Sequence, residues 1–314
     1  DSPARGFSPL VVVLRAFCQG HGVDPEPALR AHGITEGHLA DPEARVPYAI
    51  LIDLWDELVR VHPGRPLGLE YGAHLDMSVL GLYTLLGLHS QDIRTSIQRS
   101  IRFQRLFDPM FTLELSPVPQ SDLHELKLRH AVEDTHPEVM EMMMSSMCLS
   151  AQRNVGETKR AELRGDPRFE AWFKHPRRPP LEAYTELIDA RLRFEAPYFA
   201  LRMPSDWLDL PLPGATPGVS VYLERELLKH EEERVARAVS VSVRTMQRRL
   251  REEQTSFQNL LEQARRVRAE ALLRNTDLPI YTIACALGYT EPSTFHRAFK
   301  RWFGRTPQQV RAGS

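Results

Sequence analysis

Three cysteines in 314 residues are too few, too scattered and odd in number to frame a disulfide scaffold. Cys18, Cys148 and Cys285 contain no Cys-x-x-Cys pair of the kind a zinc finger needs, and each reads as a small core residue in a reducing compartment. Long hydrophobic runs are also lacking, since residues 10–14 and 79–88 are too short to span a bilayer. No Lys/Arg-led apolar leader is evident either. A soluble, cytoplasmic protein with no membrane partner is therefore expected. Catalytic signatures are absent too. There is no Gly-x-Ser-x-Gly, no His-Glu-x-x-His and no phosphate-cradling glycine loop. Neither an enzyme nor a cofactor is expected. Cys18 and His21 are spaced compatibly with metal binding, but two ligands do not make a site. Glu133, Asp134 and His136 read as a polar turn before a helix.

What is there is ordinary globular material, 42% hydrophobic and 26% charged, enough to bury cores in two domains. The net charge of −1 hides an asymmetry. Residues 1–227 carry 24 Lys/Arg against 32 Asp/Glu, whereas 228–314 carry 16 against 9, so an acidic body bears a basic end. That polarity suits a chain of which one end meets a polyanion.

Apolar periodicity predicts helices over 9–19, 48–61, 93–107 and 137–150. The second has Ile50, Leu51, Leu54, Leu58 and Val61 on one face and Pro47 at its start, where a missing N–H is harmless. Alternation predicts strands over 111–115, 123–128, 191–194 and 199–203. The first domain is therefore α+β. Met140–Met144 with Met147 read as the core face of a helix on a sheet, or as the wall of an effector pocket. A Pro/Gly cluster over 211–218 precedes a predicted helix at 219–229. The boundaries drawn are 1–215 for the α+β domain, 216–229 for a linker helix and 230–314 for an all-α domain. Lys229 runs into His230-Glu231-Glu232-Glu233 without a turn residue, and the junction reads as one from which a loop has been left out.

The all-α part contains a repeat. Val235-Ala236-Arg237-Ala238-Val239 and Ile283-Ala284-Cys285-Ala286-Leu287 are the same short helix, 48 residues apart. Val243, Met246 and Leu250 follow the first copy, and Phe295 and Phe299 follow the second, after a turn at Gly288. Between them Phe257, Leu260, Leu261, Ala264, Val267 and Ala271 trace the expected inner face of one long helix. Two helix–turn–helix pairs on one connector can present their second helices to major-groove faces roughly 34 Å apart. The candidate DNA contacts are Ser242, Arg244, Thr245, Gln247 and Arg248, with Arg249 beside them, in the first motif. In the second they are Ser293, Thr294, His296, Arg297, Lys300 and Arg301. Each could reach a base edge or a phosphate. Arg266 and Arg268 on the connector read as phosphate contacts or solvated charges.

Asp277-Leu278-Pro279-Ile280-x-x-Ile283-Ala284-x-x-Leu287-Gly288-Tyr289 resembles the signature of the AraC/XylS regulators. So does Ser293-x-Phe295-x-Arg297-Ala298-Phe299-Lys300-x-x-Phe303-Gly304-x-Thr306-Pro307. The first motif, 242–250, is similar, but Ser240 and Gln254 stand where glycine is expected, at turn positions suited to a left-handed backbone. Arg45-Val46-Pro47, Leu67-Gly68-Leu69, Gly81-Leu82 and the stretch 204–213 resemble the branch of that family with an α+β effector domain in place of a cupin barrel, to which ornithine-responsive regulators belong. The resemblance implies a transcription regulator with promoter DNA and a small-molecule effector as partners, and leaves homodimerisation and contact with RNA polymerase open. An architectural DNA-binding protein and a DNA-targeted enzyme with a catalytic first domain are the alternatives.

Overall fold

The computed structural model describes residues 5–41, 44–75, 81–108, 110–132, 135–155, 157–177, 181–276, 278–280, 283–284, 287, 289 and 292–312. The chain opens with β1 (Arg5–Phe7), α1 (Ser8–Gly20), α2 (Glu26–Ala31), α3 (Glu36–Ala40), β2 (Arg45–Pro47), α4 (Ala49–Val61), α5 (Leu67–His74), α6 (Leu82–Leu88) and α7 (Ile93–Phe107). Next come β3 (Phe111–Pro117), β4 (Leu123–His130), α8 (Pro137–Asn154), α9 (Glu157–Leu163), β5 (Glu170–Trp172), α10 (Leu181–Thr185), β6 (Arg191–Arg193), β7 (Phe199–Pro204) and a 3-10 turn at Ser205–Asp209. The helical end comprises α11 (Pro217–Ala238), α12 (Val243–Glu252), α13 (Phe257–Asn275), α14 (Pro292–Phe303) and α15 (Pro307–Ala312).

β3, β4, β7, β5 and β6 lie in that order in one sheet, antiparallel except for the β5–β6 pair. Alternation puts Leu113, Leu115, Leu126, Leu128, Leu201 and Met203 on its buried face. The register sets Leu126 opposite both Leu115 and Leu201. The methionine-rich α8 covers this face, burying Met140, Met142 and Met144. Helix α5 presses on α8 so closely that a methyl group at Gly68 or Gly72 would overlap the backbone of Glu138 or Met142. Gly68 and Gly72 are one helical turn apart, so both point at α8. The Leu67-Gly68-Leu69 stretch is thus a close-approach surface, closed by Ser145 Oγ donating to the Leu69 carbonyl at 2.9 Å.

Several expectations change. Pro47 closes β2, paired with Arg5, and Tyr48 caps α4, so the proline stands outside the helix. His136 caps α8, while Glu133 and Asp134 lie outside the described residues. The stretch 219–239, divided into a linker helix and a short motif helix, is one unbroken α11 that passes through Lys229 and His230. Within it His230 is exposed and Glu231, Glu232 and Glu233 are half-buried, and Val239, expected inside, is its exposed C-cap. On α13 the inner face is Ala269 and Leu273, whereas Leu260 and Val267 are exposed. Among the described residues no helix is long and apolar enough to cross a membrane.

Candidate nucleic-acid interface and effector cavity

The second helix–turn–helix unit has its own core. Ile283, Ala284 and Leu287 meet Phe295 and Phe299 of α14 and Ala269 and Leu273 of α13. Backbone bonds link Ile283 to Pro279 at 3.0 Å and Tyr289 to Ala284 at 3.0 Å, while Cys285, Ala286 and Gly288 lie outside the described residues. With one face of α14 buried through Phe295, Ala298 and Phe299, helical geometry turns Ser293, Arg297 and Lys300 outward. Thr294 accepts from Arg297 Nη2 at 3.2 Å, and His296 is half-buried beside Phe295. Arg301, the last candidate on this helix, is exposed and has a partner within the protein. Its guanidinium is turned to Glu262 on α13, which also accepts from Trp302 Nε1 at 2.8 Å. Those two bonds hold the Glu262 carboxyl below the usual carboxylate range. Arg301 and Trp302 thereby tie α14 to the connector α13.

The first unit is more open. Its deepest residues are Ala236 and Met246, with Val243 and Leu250 only partly covered. Ser242 caps α12, accepting from the Thr245 amide at 3.1 Å and meeting the Thr245 hydroxyl at 2.9 Å. Arg244, Gln247, Arg248 and Arg249 are exposed. Gln247 donates to Glu232 on α11 at 2.9 Å, and Arg248 pairs with Glu252 one turn ahead at 2.6 Å. Both ends of that pair are more than half exposed, so breaking it to meet another partner costs at most about 1 kcal/mol. Ser240 and Gln254, where glycine was expected, do have left-handed backbones, with φ of 57° and 52°. On the connector, Arg266 lies over the Phe303 ring at 5.2 Å, and Arg268 is exposed. Arg265, which sequence reasoning passed over, is half-buried above Tyr289 at 5.4 Å; burial, then the nearby positive charge of Arg102, pushes its guanidinium down from the ordinary value.

In the first domain a cavity of about 210 Å³ opens between α6, α7, α8 and the sheet. Met143 and Met147 line it, so the methionine run is both core and cavity wall. Ile93, Ser96, Ile97, Ser100 and Gln104 of α7 supply one side. Asp92 starts that helix by accepting from the Thr95 amide at 2.7 Å. The opposite side of α7 carries Arg99, Arg102 and Phe103, which meet α11. Arg102 donates to Glu224, Arg99 stands 3.6 Å from the same carboxylate, and Arg99 also donates to Ser90 at 2.9 Å. Around these charges Phe103 and Leu86 bury Leu223 and Leu227 of α11, with Tyr83 packed at their edge. Tyr83 lines the cavity as well. One helix therefore separates a ligand-sized hole from the root of the helix that leads to the DNA-binding end.

Residues 22–212 match the family described as the arabinose-binding domain of AraC transcription regulator, N-terminal, and residues 235–313 match a helix-turn-helix domain family. The chain belongs to the AraC family. An alignment over 279 residues with the ornithine utilization regulator of Pseudomonas aeruginosa is 29% identical and covers 79% of each chain. VirS, an HTH-type transcriptional regulator of Mycobacterium tuberculosis, is 24% identical over 322 residues, covering 93% of this chain and 92% of that one. The crystal structure of the transcriptional regulator CdpR from Pseudomonas aeruginosa aligns with 92% of this chain and 96% of that one, at 21% identity and a TM-score of 0.44. This AraC-family chain is a DNA-binding transcription regulator with an N-terminal effector-binding domain, and not an enzyme.

Proposed function

We propose that α12 and α14 enter successive major-groove faces of promoter DNA, and that a small molecule in the cavity of the first domain controls how they are presented. The reading helices are α12 with Ser242, Arg244, Thr245, Gln247 and Arg248, and α14 with Ser293, Thr294, His296, Arg297 and Lys300. Arg301 belongs to the same set, and its exposed pair with Glu262 can open at little cost. The observation that carries this reading is the division of α14: one face packs in the core through Phe295 and Phe299 while the other holds Arg297 and Lys300 in solvent. Residues 1–215 act as the sensing unit and 230–314 as the DNA-binding unit, with α11 as the rod between them. Helix α7 supports the coupling, because a ligand against Ile97 and Ser100 bears on the same helix whose Arg99 and Arg102 hold Glu224. An effector acts only if it binds two arrangements of this joint unequally.

A second copy of the chain and RNA polymerase complete the reading, and cytoplasmic action on DNA follows from it. Leu85 and Leu88 of α6 and Val221 and Tyr222 of α11 are exposed apolar side chains on two helices that pack together, which supports pairing of protomers. Binding to promoter and random duplexes tests the DNA contacts. Arg248→Ala and Arg297→Ala should each weaken specific binding by about 1–3 kcal/mol and random binding less. Equal loss on both duplexes would reassign these residues to phosphates.

A further inference from the structure

The cavity beside α7 is selective in its chemistry. Ile97, Leu113, Leu126, Met143, Met147 and Met203 give it aliphatic and thioether walls. Besides Asp108 its polar lining is Tyr83, Gln104 and four serines, and several of these groups are engaged within the protein. Gln104 Oε1 accepts from the Leu113 amide at 3.0 Å, Ser100 Oγ donates to the Ser96 carbonyl at 2.9 Å, and Tyr83 OH reaches toward the Ser100 carbonyl at 3.4 Å. Asp108 is different. Its Oδ1 accepts from the Met110 amide at 2.9 Å, and its Oδ2 receives no hydrogen bond among the described residues. Arg45 of β2, Tyr48 before α4 and Tyr83 of α6 are the titratable groups that face this carboxyl. Arg45 stands behind it, with its guanidinium donating to the Leu106 carbonyl, and does not line the cavity.

These features exclude several ligand classes. A carboxylate would meet Asp108 with no cation in the walls to separate the two charges. A sugar would leave several hydroxyls unpaired against methionine and leucine, each at a penalty. A zwitterionic amino acid satisfies one of its charges and strands the other. We propose that the cavity binds an amine on an apolar body of about six to eight carbons, with the ammonium on Asp108 and the hydrocarbon against the α8 methionines. The size follows from the volume: engineered apolar cavities of about 150 Å³ take a benzene ring, and this one offers about 210 Å³. Burial raises the Asp108 carboxyl to about 6 despite Arg45, so this charge is under-compensated until a ligand cation arrives. Binding should therefore strengthen as pH rises through 6. The proposal rests on the reading of this cavity as the effector site and adds the class of effector.

The test is thermal shift and titration of the full chain with 1-octylamine, 1-octanol, octanoate and L-arabinose. At pH 7.5 octylamine should raise the melting temperature in a saturable way and bind about tenfold more tightly than octanol, the usual margin for a charge-assisted hydrogen bond. Octanoate and arabinose should have no effect. Asp108→Asn should erase the amine's advantage while octanol still binds, and Met143→Trp, which fills the space, should abolish both. Octanoate or arabinose matching octylamine would overturn the proposal. So would an amine advantage that persists in Asp108→Asn. Promoter affinity of Met143→Trp separates the two levels. A changed affinity keeps the cavity as a control site even if amines fail, and an unchanged affinity removes the effector-site reading itself.

Discussion

Replacing Ser240 or Gln254 with glycine should tighten the first helix–turn–helix unit, and the structure gives the size of the effect. Both residues follow a helix C-cap and close it with a paired set of bonds. Ser240 N–H donates to Arg237 at 2.9 Å and Val241 N–H to Ala236 at 3.0 Å. Gln254 N–H donates to Arg251 at 3.0 Å and Thr255 N–H to Leu250 at 2.8 Å. This closure requires a left-handed residue at its centre, which glycine adopts without penalty. A side chain there costs roughly 1–2 kcal/mol, and glycine gives back about 0.5–1 kcal/mol through the greater freedom of its unfolded chain. The net gain is about 0.5–1 kcal/mol per site, and the double variant should approach the sum of the two. Hydrogen exchange of the Val241 and Thr255 amides in the full chain reads this locally, and 1 kcal/mol slows exchange about fivefold. Gly304, at φ 70°, is the converse control. An added methyl there meets nothing within 4 Å, so Gly304→Ala isolates the backbone term and should loosen the end of α14 by about 1 kcal/mol. Equal protection in Gln254→Ala and Gln254→Gly would refute the reasoning, because alanine keeps the strained backbone.

Further outcomes follow from the packing. Gly72→Ala should destabilise the first domain by about 3 kcal/mol or more, since the methyl must push α5 off α8; urea unfolding monitored at Trp55 reports it. Ser242→Ala should cost about 1 kcal/mol of α12 stability, visible as faster exchange of the Thr245 amide. Glu224→Ala removes the carboxylate shared by Arg99 and Arg102, and loss of about 1–2 kcal/mol should appear as easier proteolysis of α11. Asp108 titrates near 6 folded, above its unfolded value near 3.8. Its contribution is therefore present below pH 4 and lost as pH rises through 6. Wild type should lose about 2–3 kcal/mol relative to Asp108→Asn between those limits, measured by chemical denaturation.

The second motif was legible because several signals agree there: a repeat, a turn glycine and paired aromatics at helical spacing. Helix α7 was legible to the residue, with apolar periodicity starting at a capping aspartate. Helix α13 shows the opposite case. Leu260, Ala264, Val267 and Ala271 form one apolar stripe and Ala269 with Leu273 part of another, and periodicity alone does not say which one meets a core. The Lys229–His230 junction reads as a break because an apolar helix end meets a charge run with no turn residue, and in the sequence as it stands α11 runs through it. Strand β5 escaped notice because Glu170-Ala171-Trp172 is short and begins with a charge, and its strand character comes from pairing with β7 and β6. Half of the cavity was visible in the methionines of α8. Asp108 was not, since nothing local marks one aspartate after a helix as buried.

The unbroken α11 makes the DNA-binding end the far arm of a lever. Glu224 is held at α7, and Ala238 lies 14 residues further along the same helix, about 21 Å away at a rise of roughly 1.5 Å per residue. A tilt of about 10° at the glutamate sweeps the tip by about 3.6 Å, close to the roughly 3.4 Å step from one base to the next. In the proposed complex a tilt of that size would carry α12 by one rung of the duplex, while the Glu262 contacts with Arg301 and Trp302 tie α14 to the connector.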